Sequence, residues 1–445
     1  MTDWPSFTVA ELQADSVLLV EDGNHGEYRP RPDEFIDGGT AFIRAADLSD
    51  GQVNFAAAGG INEVALKRIR KGVGHPGDIL FSHKGTVGKL ARVPLDCPAF
   101  VCSPQTTFWR VLDVSRLRRD YLYAFMRSRT FIDQWWVRKG ETDMADYVSL
   151  TAQRQLRVTV PPLDVQRRIA EPLAAIDDLI ENNRRRVEVL EEMARAIYRE
   201  WFVHFRYPGH EDVPVIDSPL GPIPDGWTVE PVSALASSER NAVTGGPFGS
   251  KLGRKDYRDT GVPVLRGANL RVGGGFDESD LVFVSDEKAD ELRSSVAVRG
   301  DVVVTQRGTL GQVGLIPLDS AFDRYVLSQS QMRIKVDPAR STSEFVYSQM
   351  RSRETTERFI AQAMVSGVPH VNLTLLREFE LLVPPHALQV RFSDDVRAMH
   401  AECWALRREA SSLVAIRDLI LPRLVTGKVD VSHLDLGELA EVASA

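Results

Sequence analysis

Two glycine-rich segments of the chain carry side chains that are able to contact nucleic acid. The first runs from Asp22 to Arg31 and the second from Gly245 to Lys255. Glycine lets a backbone approach a phosphate chain closely, and neighbouring cations and hydroxyls can then reach phosphates or base edges. A solvated surface loop is the alternative interpretation. On the first interpretation, the predicted contacts are His25, Tyr28, Arg29, Arg31, Ser250, Lys251, Arg254, Lys255 and Tyr257.

A second pair of motifs combines fixed glycines with variable polar neighbours. Gly85-Thr86-Val87-Gly88 and Gly308-Thr309-Leu310-Gly311 lack the Lys-Ser/Thr ending of a phosphate-binding P-loop, so we predict tight turns between strands. A constant framework with different polar residues is what two readers of two different sequences would show. The contacts predicted here are His83, Lys84, Thr86, Lys89, Gln306, Arg307 and Thr309, and with them Arg44, Arg266 and Asn269, which follow the glycine-rich segments.

The sequence predicts no catalytic residue and no metal site. It contains no HExxH, no GxSxG, no dinucleotide-binding fingerprint and no clustered Cys and His. The Asn/Asp-Pro-Pro-aromatic motif of amino-methyltransferases is also missing. Cys97, Cys102 and Cys403 form no CxxC pair and no disulfide framework, and the chain has no signal peptide and no membrane-spanning run, so we expect a cytoplasmic protein.

The overall charge is a weak argument against nucleic acid. The chain has 54 basic and 62 acidic residues, a net charge of −8. Phosphate binding depends on Lys and Arg, which makes an acidic protein a poor candidate. Whole-chain charge is a poor guide, however, when the binding face is a small part of a large surface.

The elements that must position these motifs occur twice. The segment Gly39–Leu48 aligns with Gly261–Leu270, and Val160-Pro161-Pro162 with Val383-Pro384-Pro385. These and the other matching segments lie 222–224 residues apart. Such a long period indicates duplicated domains and not a solenoid. A protein with approximate two-fold symmetry suits duplex DNA, whose backbone has the same symmetry.

Each copy ends in a predicted long helix. From Ile169 to Trp201 the apolar positions alternate in spacings of three and four, the period of a coiled coil, and the pattern returns from Phe392 to Leu424. Asn183 and Arg417 are the polar positions of this seam. We predict that the two helices pair antiparallel; helices packed onto a globular core are the alternative. Between them, residues 206–225 contain Pro208, Pro214, Pro219, Pro222 and Pro224, which predicts a stiff, extended connector.

The predicted fold class is therefore α+β. Two tandem-duplicated globular domains are separated by two long helices that form an antiparallel coiled coil, with pseudo-two-fold symmetry. The predicted boundaries are a first globular domain at 1–162, a long helix at 163–205, a linker at 206–225, a second globular domain at 226–385, a second long helix at 386–428 and a tail at 429–445.

The chain resembles the specificity (S) subunits of type I restriction-modification systems. The resemblance covers essentially the whole chain and rests on the order of domain, helix, domain, helix and on three motifs. These are Val-Pro-Pro-Leu-x-x-Gln at 160–166, with a weaker copy at 383–389, the central stretch from Trp201 to Trp227, and the ending Leu421–Val429.

The resemblance implies a DNA-recognition role without catalysis. Each globular domain would be a target recognition domain that reads one half of a bipartite site in double-stranded DNA. The helices would set the unread spacer and dock two methyltransferase subunits. S-adenosylmethionine would come with those subunits, and ATP and Mg²⁺ with restriction/translocase subunits, so no cofactor is expected in this chain. Individual base contacts do not carry over, because they vary with the target.

Two other functions are compatible with parts of the sequence. One is a coiled-coil adaptor without DNA binding, which leaves the cationic glycine-rich loops unexplained. The other is a self-contained DNA methyltransferase or nuclease, which requires the catalytic motifs that the sequence lacks.

Overall fold

The computed structural model describes residues 4–139, 146–271, 275–364 and 371–427. The predicted tail at 429–445, and Lys428 at the end of the second predicted helix, lie outside these residues. The chain divides into two compact units: unit 1 comprises Met1–Ile180 and Ser412–Ala445, and unit 2 comprises Glu181–Ser411. Each unit is described by itself.

Unit 1 is built on two main sheets. The larger has the strand order β2-β11-β8-β9-β6-β5, the smaller β10-β4-β7-β3, and β1 pairs with β12. Most neighbours are antiparallel, but β10 runs parallel to β4, and β6 runs parallel to β9. The strands are β1 Ser6–Thr8, β2 Leu18–Asp22, β3 Phe35–Ile36, β4 Thr40–Ile43, β5 Leu48–Ser49, β6 Gln52–Val53, β7 Gly59–Ile61, β8 Ile79–Ser82, β9 Leu90–Arg92, β10 Phe100–Cys102, β11 Thr106–Val111 and β12 Arg157–Thr159.

Short helices close the core of unit 1. Side-chain oxygens of Thr8, Asn62 and Ser149 accept hydrogen bonds from the first turns of three of these helices, which fixes where they begin. Buried aromatic residues such as Trp109, Tyr121 and Phe131 fill the space between helices and sheet. The helices are α1 Val9–Ala14, α2 Glu63–Arg68, α3 Arg119–Met126, α4 Arg129–Trp136 and α5 Leu150–Arg154.

Unit 2 contains two four-stranded sheets. Their strand orders are β16-β23-β20-β21 and β18-β17-β22-β19; β15 pairs with β24, and β13 with β14. Here β17 and β22 are the parallel pair. The strands are β13 Val215–Ile216, β14 Ile223–Pro224, β15 Thr228–Pro231, β16 Val243–Gly245, β17 Val262–Leu265, β18 Val282–Val284, β19 Val296–Val298, β20 Val302–Thr305, β21 Val313–Leu315, β22 Arg324–Leu327, β23 Gln331–Ile334 and β24 Glu380–Val383.

Helices also pack against the sheets of unit 2. The predicted strand at 302–305 and the predicted helix near 344–352 are both observed. The buried rings of Phe345, Phe359 and Phe379 belong to one core cluster with the central strands. The helices are α7 Val232–Leu235, α8 Asp286–Glu291, α9 Ser343–Met350, α10 Arg353–Met364 and α11 Leu373–Glu378.

Two long helices are present where the apolar periodicity predicts them. The first, α6, spans Leu163–Tyr198 and continues into a π-helical turn at Arg199–Val203, and the second, α12, spans His386–Val425. All predicted seam positions of both helices are buried or half-buried. Their apolar spacing explains this burial, because residues three and four apart share one face of a helix.

The two helices contact each other inside each unit. In unit 1, Asp177 of α6 pairs with Arg417 of α12 at 3.1 Å. In unit 2, Arg186 pairs with Glu402 at 2.6 Å, and the Tyr198 and Phe392 rings lie 6.0 Å apart. Within unit 2, a later residue of α6 therefore contacts an earlier residue of α12, so the two helix segments run in opposite directions. None of the helices in the described part of the chain is both long and apolar enough to cross a membrane.

The extended connector predicted for residues 206–225 is wrong. These residues belong to unit 2, where β13 and β14 form a small hairpin. Tyr207 and Ile223 are buried in the same core cluster as Trp227, and the Tyr207 and Trp227 rings lie 5.3 Å apart. Prolines alone predict stiffness, but the apolar anchors between them supply the burial that folds the segment onto the core.

Candidate nucleic-acid interface

Three loops of unit 1 meet at one edge of its sheets. They are the glycine-rich loop (23–31), the Gly-Thr turn (83–89) between β8 and β9, and the serine loop (103–105) between β10 and β11. The Asn24 N–H donates to the carbonyl of Cys102, and the His83 N–H donates to that of Gln105, at 2.7 and 3.0 Å. The Lys89 ammonium donates to the Ala45 carbonyl at 3.0 Å, which brings the turn after β4 to the same place. We call this set the loop edge of unit 1.

Unit 2 has a loop edge built from the corresponding segments. They are the glycine-rich loop (245–255), the Gly-Thr turn (306–312) and the serine loop (328–331). The Gly246 N–H donates to the Gln331 carbonyl at 2.9 Å, and the Gln306 N–H to the Ser330 carbonyl at 2.8 Å. The Gln329 amide also donates to the Gly249 carbonyl. Backbone hydrogen bonds thus hold the three loops together.

Close backbone contact explains the glycines that begin these loops. A Cβ atom on Gly23 would lie 1.9 Å from the Ser103 carbonyl oxygen, and one on Gly246 would lie 1.9 Å from the Ser328 carbonyl oxygen. Neither position can accept a side chain unless the backbone moves. Gly85 and Gly308 have φ angles of 78° and 89°, which side-chain-bearing residues rarely adopt, and this supports the prediction of tight turns.

Most of the predicted contact residues are exposed at the loop edges. In unit 1 these are His25, Tyr28, Arg29, Arg31, Arg44, Lys84 and Thr86, and in unit 2 Ser250, Lys251, Arg254, Lys255, Arg307 and Thr309. Among the residues that the structure describes, none of these cations forms an ion pair. Arg44 lies over the Phe35 ring at 5.2 Å, and Lys84 over the Tyr147 ring at 5.9 Å. The edges therefore carry exposed cations that the described carboxylates do not hold in ion pairs.

The other predicted residues are engaged within the protein. His83, Asn269 and Gln306 are buried. Asn269 accepts from the Arg266 N–H at 2.9 Å and donates to two carbonyls, while the Arg266 guanidinium contacts Asp280 at 3.0 Å. Tyr257 packs against an apolar cluster, and Lys89 is half-buried. These six residues position the loops in this conformation and do not present free side chains.

His83 is the most enclosed titratable group at the loop edge of unit 1. Its ring nitrogens lie 3.2 Å from the carbonyls of Val148 and Pro104. Burial, which disfavours the charged imidazolium, lowers the pKa of His83 even though Asp22 lies 3.8 Å away. Gln306 holds the same place in unit 2. The Gln306 carbonyl accepts a hydrogen bond from the Val371 N–H at 3.0 Å, and the His83 carbonyl accepts one from the Val148 N–H at 2.9 Å.

Sequence reasoning missed several residues of the loop edges. Gln105 is exposed on the serine loop of unit 1, and Gln329 and Ser330 are half-buried on that of unit 2. Phe248, at the tip of the second glycine-rich loop, is 70% exposed. The repeat itself contains the signal, because Ser103 and Ser328 stand in corresponding places of the two copies.

The described residues contain no group of three or more His, Cys, Asp or Glu side chains that could hold a metal ion. The three cysteines are free, and burial raises the pKa of the Cys102 thiol far above its ordinary value. The loop edges offer hydrogen-bond donors and positive charge, a combination that suits binding of a negatively charged partner.

Comparison with known proteins shows similarity to one class of DNA-specificity proteins. A model of the family described as Type I restriction modification DNA specificity domain matches residues 33–192. The MjaIX specificity subunit of Methanocaldococcus jannaschii is 21% identical over 412 residues, which cover 90% of this chain and 89% of the relative. The HindI specificity subunit of Haemophilus influenzae is 19% identical, with coverage of 96% and 100%.

A solved structure shares the fold. The type I restriction-modification S subunit from M. genitalium aligns with a TM-score of 0.59 at 14% identity, covering 95% of this chain and 96% of that one. The mixed helix and strand fold is therefore that of an S subunit. The resemblance found in the sequence is confirmed: a model of the specificity domain matches residues 33–192, and the relatives that align over most of the chain are specificity subunits of type I restriction enzymes.

Proposed function

We propose that this chain reads a bipartite site in double-stranded DNA, with one loop edge for each half of the site. The observation that supports this most directly is the loop edge itself. In each unit three loops converge, and their exposed cations have no carboxylate partner among the described residues. Cations without an ion-pair partner, on loops whose backbone can come close to DNA, suit contacts to phosphates. The polar side chains that differ between the two loop edges suit contacts to base edges.

A tandem duplication accounts for the presence of two such edges. The central strand order β2-β11-β8-β9 of unit 1 corresponds to β16-β23-β20-β21 of unit 2. The parallel pair β4 and β10 likewise corresponds to β17 and β22. Equal order and direction in segments with matching sequence support an origin by duplication, and two copies of one reader would read two half-sites.

The long helices would provide the spacer between the half-sites. We propose that α6 and α12 form an antiparallel coiled coil, which the buried seam and the ion pairs inside each unit support. Their charged outer faces would dock two methyltransferase subunits. Those subunits would bring S-adenosylmethionine, and restriction/translocase subunits would bring ATP and Mg²⁺.

Methylome sequencing tests this function. A strain that expresses the chain with its methyltransferase should show methylation at a split, asymmetric motif, and the motif should vanish when the chain is deleted. Methylation that persists without the chain, or a contiguous motif, would contradict the proposal.

The spacer is tested by an insertion. Four residues added after Asn183 lengthen α6 by about 6 Å, nearly two base pairs of rise. We expect the unread gap of the motif to change while both half-sites remain. An identical motif would exclude a spacer role for the helices.

A further inference from the structure

A cavity of about 590 Å³ lies inside unit 2, away from the loop edge. Its apolar wall includes Phe276, Ile316, Leu318 and Trp404. Arg351 of the turn after α9 and His400 of α12 also line it. This size and this combination of apolar wall and few polar groups are typical of small-molecule sites.

Several polar atoms of this cavity lack hydrogen-bond partners among the described residues. Trp404 is only 4% exposed, yet its indole N–H donates to no acceptor among the described residues. Both ring nitrogens of His400, the Nε and one terminal nitrogen of Arg351, and the Nε of Arg407 are likewise buried without a hydrogen bond in the part of the chain that is described. Buried polar groups are normally satisfied, so convergent donors without partners point to an external acceptor.

The charge of Arg351 is also uncompensated. Its guanidinium donates to the Tyr347 hydroxyl at 2.8 Å and lies over that ring at 5.0 Å, but it pairs with no carboxylate among the described residues. Arg407, in contrast, pairs with Glu191, and Arg397 pairs with Glu344 at 2.8 Å. A half-buried guanidinium without a counter-ion is costly.

Unit 1 shows which group satisfies the corresponding arginine. Arg127 occupies the place of Arg351 in the repeat, and it too lies over a tyrosine, Tyr123, at 5.1 Å. Its guanidinium pairs with the carboxylate of Asp177 at 2.7 Å. The residue of unit 2 that corresponds to Asp177 is His400. Unit 1 therefore supplies a carboxylate from its own helix, whereas unit 2 supplies an imidazole.

The imidazole does not substitute for the carboxylate. Burial, together with the nearby positive charge of Arg351, lowers the pKa of His400 to about 4, so the ring is neutral at physiological pH. A bound anion would pair with Arg351 and accept from a ring N–H of His400. The indole N–H of Trp404 would remain available to a second acceptor on the same molecule.

We propose that this cavity binds a small organic carboxylate, with its apolar body against Phe276 and Trp404 and its carboxylate against Arg351 and His400. The site is independent of the loop edge, and the proposal does not rest on DNA reading. A ligand there contacts both α12 and the sheet of unit 2, so its binding stabilises their packing.

The indole N–H resonance of Trp404 reports binding in the full-length chain. It is assigned by its absence in Trp404→Phe, and the probes are benzoate, 4-phenylbutyrate and indole-3-acetate, each compared with its neutral alcohol. We expect at least one carboxylate to shift this resonance saturably, with at least tenfold weaker binding of its alcohol. Arg351→Gln should weaken binding at least tenfold, whereas Arg340→Gln, an exposed arginine paired with Glu230, should bind like the wild type.

A second variant supplies the missing charge from the protein. His400→Asp places a carboxylate where unit 1 has Asp177, so we expect a higher thermal midpoint and loss of carboxylate binding. Unchanged affinity in Arg351→Gln, equal binding of acid and alcohol, or carboxylate binding that survives in His400→Asp would overturn the proposal. A Trp404 resonance that ignores all probes but shifts on addition of the methyltransferase subunit would overturn it in favour of a protein partner.

Discussion

The two loop edges share a backbone arrangement and differ in their side chains. Gly23 and Gly246 make the same close approach to a serine carbonyl, and His83 and Gln306 accept the same kind of backbone hydrogen bond. The exposed tips differ: unit 1 has His25, Tyr28 and Arg29, whereas unit 2 has Phe248, Ser250 and Lys251. The comparison shows that backbone contacts fix the scaffold while the exposed tips differ, which is what we propose for two readers of different bases.

The strongest test of the shared scaffold is the glycine that begins each loop. Gly246→Ala would place a Cβ atom 1.9 Å from the Ser328 oxygen, so we expect the free energy of unfolding of unit 2 to fall by about 2–4 kcal/mol. Gly23→Ala should do the same in unit 1. Gly253→Ala is the matched control, because nothing lies within 4 Å of its Cβ position. Equal thermal stability of Gly246→Ala and Gly253→Ala would show that the close approach is not needed.

Arg44 follows β4 and Arg266 follows β17, and these corresponding arginines differ in role: the first is an exposed tip residue and the second a scaffold residue. Arg44 is exposed and unpaired in the described part of unit 1, whereas Arg266 contacts Asp280. In the assembled complex, Arg44→Gln should weaken DNA binding by about 1–3 kcal/mol and leave the melting temperature unchanged. Arg266→Gln should mainly lower the melting temperature. The reverse pattern in binding isotherms and thermal melts would contradict this assignment.

The smallest expected effect is a pH dependence confined to unit 1. The pKa of His83 is lowered in the folded state. Its contribution to the free energy of unfolding is therefore complete above the ordinary pKa of 6.5 and decreases as the pH falls below that value. Asp22, Lys84 and Tyr147 are the titratable groups around it. His83→Gln copies Gln306 and should reduce the loss of amide-exchange protection in β8 between pH 7 and pH 5. An identical loss in both proteins would show that His83 does not cause it.

The sequence predicted the long helices well because a helical seam is a local pattern. Spacing alone assigns Ile169 and Ile176 to one face of α6 and Phe392 to the seam of α12, and all three are buried. The linker was mispredicted because its fold depends on distant partners: Tyr207 and Ile223 join a core that contains Trp227 and Phe345. Proline content carries no information about such burial.

The candidate site was predicted by composition, which does not encode side-chain direction. Lys84 and His83 are neighbours in one turn, yet Lys84 is exposed and His83 is 2% exposed. Asn269 and Gln306 are polar residues whose hydrogen bonds hold loops in place. The serine loop contains no cation, so a search for positive charge could not find it, although the repeat marks its position.

The central claim is that each loop edge reads its own half of one DNA site. Methylome sequencing of strains that carry Lys84→Ala or Arg307→Ala together with the methyltransferase tests it most directly. We predict that Lys84→Ala relaxes or alters one half of the split motif and that Arg307→Ala alters only the other half. Changes in the same half by both variants, or a uniform loss of methylation with both halves unchanged, would contradict the account.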